Sequence, residues 1–262
     1  MPVIFVGHGS PMNALNNSKA SVMWKKTGEA LKKPKAILAI SAHWYVNKTF
    51  IQSSSNPTQI YDMYGFPDEL YKIKYPVKGD MKLTERVLDL LGQDVVVNND
   101  WGIDHGTWSV LVHMFPDADI PIVQMSIDKT KNLEEHYTLG KKLAQLREEG
   151  FLILASGNIV HNLRKLDPDI EGRKETVEFD NWIKESILSF NIKNVVNHFK
   201  HPDSAFAVPT PDHYIPLIYA LAASDSLDKI DIFNNYYELG SISMTSYIFN
   251  SIRRESISRQ ES

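Results

Sequence analysis

The sequence predicts an α/β fold: a single domain with a central, mostly parallel or mixed sheet flanked by helices. Three observations carry this prediction. Short apolar runs alternate with longer amphipathic stretches, glycine or proline closes several of the amphipathic stretches, and no segment reads as a linker. In chain order, residues 3–6 (Val-Ile-Phe-Val) form a first strand, apolar at every position as a strand covered on both faces must be. Ser18 caps a helix that runs to about residue 33 and is stopped by Pro34. Residues 36–40 form the second strand. Leu83, Val87, Leu88 and Leu91 recur at helical spacing, so 81–91 is a helix closed by Gly92. Residues 94–97 form a third strand, and 108–115 an apolar helical run. Strands at 122–125 and 151–155 bracket a helix over 132–149 that ends at Gly150. Helices over 175–190 and 212–223 complete the domain, expected over residues 1–250, and 251–262 form a polar, charged C-terminal tail.

The composition excludes several classes of protein. Of the 262 residues, 43% are hydrophobic, a chain long enough to bury roughly three quarters of its unfolded surface. It contains no cysteine, which removes disulfides, thiolate metal sites and cysteine nucleophiles. The net charge is −4 with no long basic run, which argues against a nucleic-acid partner. No run approaches the ~20 apolar residues of a membrane span, and residues 1–6 lack a basic leader region. The expected location is cytoplasmic.

Nine histidines are present, and their placement carries more information than their number. His8 follows the first strand within Gly7-His8-Gly9-Ser10-Pro11. His43 lies just past the second, in Ser41-Ala42-His43-Trp44. His161 lies just past the strand at 151–155. Ligands of open α/β sheets bind beyond the carboxyl ends of the strands, so histidines far apart in sequence converge there. His213, in Pro209-Thr210-Pro211-Asp212-His213, stands at a helix start and completes a set of four. His105 follows the strand at 94–97 and stands near the same edge, beside Asp104. Imidazole suits iron and zinc, and a histidine site is the natural solution in a chain without cysteine. The bland alternative is that each histidine is an ordinary loop or core residue. His136, His198 and His201 read as surface residues, and His113 as structural.

The motifs Gly7-His8-Gly9-Ser10-Pro11, Ser41-Ala42-His43-Trp44, Asp104-His105-Gly106-Thr107-Trp108, Gly157-Asn158-Ile159-Val160-His161-Asn162-Leu163-Arg164 and Pro209-Thr210-Pro211-Asp212-His213-Tyr214 resemble those of the DODA-type extradiol aromatic ring-opening dioxygenases. Tyr64-Gly65-Phe66-Pro67, residues 115–121 and Gly240-Ser241-Ile242-Ser243-Met244 match as well. The motifs keep the family's order across nearly the whole chain. The resemblance implies the class III extradiol fold, with His8, His43 and His213 as core metal ligands. It implies His161 as a further ligand or an acid/base, and His105 as a histidine near substrate. A third histidine at His213 departs from the two-histidine, one-carboxylate set of many non-haem iron oxygenases. Such a site binds zinc readily, so Fe(II) is expected for turnover and zinc is plausible as the bound metal.

The expected reaction is ring opening of a catechol such as DOPA with insertion of both atoms of O2. It needs a base for a catechol proton and an acid for O–O cleavage, roles that histidine suits. Trp44, Tyr45, Tyr64, Phe66, Trp101 and Trp108 are candidates to line a pocket for a planar ring, with core packing as the alternative. Arg164 is a candidate to meet a substrate carboxylate, with a solvated ion pair as the alternative. Two other functions share the same residues: a zinc-dependent hydrolase, and a non-catalytic metal- or ligand-binding relative. The chain lacks a His-Glu-x-x-His helix and a Gly-x-Ser-x-Gly elbow.

Overall fold

The computed structural model describes residues 1–15 and 17–251. Apart from Ser251, the tail expected over 251–262 lies outside the described residues. Ten strands are formed among the described residues: β1 (Val3–Gly7), β2 (Ile37–Val46), β3 (Phe50–Ile51), β4 (Val96–Val97), β5 (Ile122–Asp128), β6 (Leu152–Gly157), β7 (Lys229–Phe233), β8 (Tyr237–Glu238), β9 (Ile242–Ser243) and β10 (Ser246–Asn250). Eight make one mixed sheet in the order β4-β3-β5-β2-β6-β1-β10-β7, and β8 pairs with β9 in a separate ribbon. The centre is parallel: β5, β2, β6 and β1 run the same way. β10 is antiparallel to β1, and β7 to β10.

Both faces of the sheet are covered, so β1, β5 and β6 are buried at every position and their apolar residues outnumber the polar ones. Along β1, Val3 and Phe5 pack into one cluster with Leu139, Phe179 and Leu217. Ile4 and Val6 point the other way, onto Trp24, Trp108 and Leu111. Helices Leu133–Leu143, Lys174–Leu188 and Ile215–Ala223 therefore lie on one side, and Lys19–Ala30 and His105–Met114 on the other.

The differences from expectation have local causes. The strand expected at 94–97 shrinks to Val96–Val97, both exposed, because a 3-10 turn occupies Gly92–Asp94. The helix expected over 132–149 breaks at Ala144 into Leu133–Leu143 and Gln145–Glu148. The last helix begins at Ile215, so His213 lies in the turn before it. β3 and β7 to β10 were not anticipated: three have two residues, and edge strand β7 mixes Lys229 and Asp231 with Ile230 and Ile232. Nor is His136 a surface residue. It is fully buried, and its Nδ1 meets the Tyr219 hydroxyl at 3.0 Å. His198 and His201 are half-buried against Phe179. His113 bonds the Asn13 carbonyl at 2.8 Å, a structural role.

Candidate metal centre

The carboxyl ends of the parallel strands deliver the histidines. His8 is the first residue after β1, and its N–H donates to the Gly157 carbonyl at the end of β6 (3.1 Å). His43 lies inside β2 rather than past it. Between Ile40 and Tyr45 the pairing with β5 slips: five steps along β2 cover only the two from Met125 to Ile127. This bulge re-aims the His43 ring out of the pleat. His105 opens the helix His105–Met114. His161 forms an antiparallel bridge with Ile242 of β9. The His213 carbonyl accepts from the Asn158 N–H, one residue beyond β6 (2.9 Å).

All five rings meet. Ring centroids of His8 and His43 are 4.8 Å apart, and His213 lies 5.2 Å from each. His105 stacks on His43 at 3.9 Å, and His161 stacks on His213 at 3.5 Å, nearly parallel. One nitrogen each of His8, His43 and His105 falls within 4.8 Å of the others. His105 is thus as close to the centre as the expected ligands, whereas His161 is outermost.

The surrounding hydrogen bonds fix which nitrogen faces inward. The Ser156 hydroxyl donates to the Gly106 carbonyl, so it must accept from His8 Nδ1–H (2.9 Å). That leaves His8 Nε2 with a free lone pair. His213 Nδ1–H donates to Asp212 Oδ2 at 2.5 Å, the carboxylate–imidazole pairing typical of metal-bound histidine. Asp62 Oδ1 accepts the His105 backbone N–H (2.8 Å), capping the helix from outside, while Asp104 makes no capping bond. Asp62 Oδ2 lies 3.0 Å from His105 Nδ1 and 3.3 Å from His43 Nδ1. Asp104 turns from its neighbour His105 toward His43, 3.9 Å away.

Electrostatics keep His8, His43 and His161 neutral. Burial, reinforced by His213, His105 and His161, holds the His8 pKa well below the ordinary imidazole range. Burial does the same for His43, reinforced by His105 first. His161 is pushed down to about 2 by burial and by His213. Burial and the charge of Asp62 push Asp104 up to about 6. An imidazole that turns a free lone pair inward, as His8 does beside His43 and His105, is the form that a divalent cation binds, so these residues fit a metal.

The five histidines line one cavity of about 490 Å³. Its apolar wall is Met63, Phe66, Leu163, Leu166, Leu239 and Ile242. Of the six candidate aromatics, Phe66 alone lines it among the described residues. Trp44 stacks with Trp101 and Phe50, Trp108 is a core residue, Tyr45 faces another groove, and Tyr64 is 92% exposed. Arg164 is exposed and does not line the cavity. Asp62 and Ser156 lie outside the sequence motifs, because hydrogen-bonding partners carry no periodicity, while Asp212 falls within one as the neighbour of His213. Asp62 stands two residues before Tyr64-Gly65-Phe66-Pro67, its one signal in the sequence.

Similar proteins place the chain in a family. Residues 2–250 match the family described as the catalytic LigB subunit of aromatic ring-opening dioxygenase. The chain is 41% identical over 253 residues to a 4,5-DOPA dioxygenase extradiol of Escherichia coli K12, covering 94% of this chain and 93% of that one. It is 35% identical over 256 residues to the Beta vulgaris protein of the same name, covering 94% and 96%. The crystal structure of an uncharacterized Escherichia coli K12 protein superposes with a TM-score of 0.84 at 37% identity, covering 95% of this chain and all of that one. With the family matched over nearly the full length and its relatives named as extradiol enzymes, the chain belongs to the LigB family of aromatic ring-opening dioxygenases and is an enzyme of the extradiol type.

Proposed function

We propose that this enzyme opens the ring of a catechol such as DOPA, using one divalent metal per chain held by His8, His43 and His213. The observation that carries the reading is the convergence of five histidines on one cavity, with His8 and His213 held in the tautomer that turns Nε2 inward. Fe(II) is the metal proposed for turnover, with zinc able to occupy the same donors. The bound ion would supply open positions for the catechol oxygens and O2, and a path for electrons between them.

The chain's own residues do the rest. Phe66, Met63 and Ile242 hold the planar ring and exclude water from one side. His161, stacked on His213 at the outer edge of the cluster, takes a catechol proton and returns one during O–O cleavage. It would also be able to serve as a further ligand to the metal. His105, held against Asp62 at two atoms, orients substrate or oxygen. Ser156 and Asp212 keep His8 and His213 in the required tautomer.

Oxygen uptake by Fe(II)-loaded protein with a catechol panel tests the reaction. Both atoms of ¹⁸O2 are expected in the product, allowing for exchange at the aldehyde; oxygen drawn only from water would point to a hydrolase. Metal content tests the ligands: His8→Ala and His43→Ala should each lose the ion, and full retention by both would remove the assignment. His161→Gln should keep most of its metal and lose roughly 10²–10⁴-fold in turnover. Near-normal turnover would move the acid/base to His105.

A further inference from the structure

Two carboxylates line the cavity, and only one belongs to the histidine cluster. Asp62 lies against His43 and His105. The other, Glu238, reaches the cavity from the β8–β9 ribbon. Its position follows from strand register. Glu238 is paired with Ile242 across the ribbon, and Ile242 is bridged to His161 on its other side. Residues directly opposite in antiparallel pairs project to the same face, so Glu238, Ile242 and His161 point the same way, and all three line the cavity. Two ladder steps separate Glu238 from His161 by roughly 10 Å, since each step spans about 5 Å. That span suits a catechol seated at the histidines and carrying a short alkylamine side chain.

The charges around this position favour a cation. No lysine or arginine lines the cavity among the described residues. Arg173, close to Gly240, is bonded to Asp167 at 2.9 Å, and Arg164 is outside the lining. Glu238 makes no ion pair among the described residues. Its one side-chain hydrogen bond there is donated by the Tyr236 hydroxyl to Oε1 (3.2 Å). Burial raises its pKa, the condition of a carboxylate that gains from a nearby positive charge. The rim beside it is apolar, with Leu163, Leu166 and Leu239 partly exposed, a surface for methylene groups.

We infer that Glu238 reads the side chain of the substrate, selecting catechols that carry a cationic amine over catechols that carry a carboxylate. The inference rests on the catechol reading of the cavity. A catechol amino acid would set its ammonium against Glu238 and leave its carboxylate toward solvent. No covalent step involves Glu238; it is a specificity residue.

The test is equilibrium binding to zinc-loaded protein by calorimetry. The probes are dopamine (cationic), 4-methylcatechol (neutral) and 3,4-dihydroxyphenylacetate (anionic), with wild type, Glu238→Gln and Glu238→Lys. Wild type should bind dopamine roughly tenfold or more tightly than the anionic probe, as expected for a charge-assisted hydrogen bond at a partly open site. Glu238→Gln should erase most of that preference, and Glu238→Lys should invert it. In Fe(II) turnover the same ranking should fall mainly on KM. Equal binding of amine and carboxylate by wild type overturns the inference, as does an equal loss for all three probes in Glu238→Gln. If 4-methylcatechol fails to bind as well, the catechol reading itself falls, and this inference with it.

Discussion

Gly157→Ala adds one methyl group at the point where two ligand segments are joined. Gly157 ends β6; its carbonyl accepts from His8 N–H, and the next N–H, of Asn158, donates to the His213 carbonyl. A Cβ at Gly157 would lie 2.2 Å from the His213 carbonyl oxygen and 3.1 Å from Pro216 Cγ. Carbon and oxygen need about 3.3 Å, so something must move by roughly 1 Å. The oxygen is backbone, tied to the buried helix Ile215–Ala223, and cannot swing aside as a side chain would. The displacement therefore opens the distance between His213 and His8. Overpacking of this kind costs about 1–3 kcal/mol, or roughly 2–10 °C in Tm for a chain of this size. The effect on the site should be larger, since about 1 Å of misplacement costs on the order of 10²-fold in turnover. We expect zinc affinity, measured by chelator competition well below the variant's Tm, to fall roughly 10–100-fold. Wild-type zinc affinity and wild-type Tm together would refute the claim that this glycine sets the His8–His213 spacing.

Three further outcomes follow from other contacts. Ser156→Ala removes the acceptor for His8 Nδ1–H and should weaken zinc binding roughly 10–100-fold; unchanged affinity would mean His8 keeps its tautomer without the hydroxyl. Buried Arg147 bonds Asp228 (2.8 Å) and the carbonyls of Ala223 and Phe249, so Arg147→Met should cost about 3–5 kcal/mol in urea unfolding, and Asp228→Asn in the same chain should recover part of it. A loss under about 1 kcal/mol would contradict that accounting. Burial pushes the His136 pKa down to about 4, so the unfolded chain binds its proton first as pH falls. The stability from keeping this ring neutral is complete above about pH 6.5 and drains away between there and pH 4. Between pH 7.5 and 5, wild type should lose about 2 kcal/mol more than His136→Gln; parallel losses would show that His136 does not titrate in this way.

Much of this was legible in the sequence because the same physics writes it there. Strands covered on both faces favour apolar residues, so the runs at 3–6, 36–40, 122–125 and 151–155 stand out. Chemistry at their carboxyl ends needs imidazole, so five histidines stood at positions where convergence was expected, and all five rings meet. What escaped was decided by tertiary context. The bulge that turns His43 inward depends on how β2 slips against β5. Asp62 acts only because a distant loop is folded over His43 and His105. His136 sits in a helix of otherwise polar appearance, and its burial follows from tertiary partners, the Tyr219 hydroxyl and the Asp128 backbone. β8 and β9 have two residues each, too short for any periodicity, yet their register carries Glu238 to the cavity.

The proposed ligands come from the end of the first strand, a bulge in the second and a turn near the far end of the domain. In the unfolded chain no two of these stand at chelating distance, so a nascent polypeptide offers an ion nothing to hold. Affinity exists only once the sheet has closed and the turn carrying His213 has docked beside β6. An ion retained by this protein is therefore a certificate of completed assembly. Free metal should raise the melting temperature by mass action, and a chelator should leave a folded, empty shell. Which ion enters would then be chosen by the finished cavity from whatever its surroundings supply.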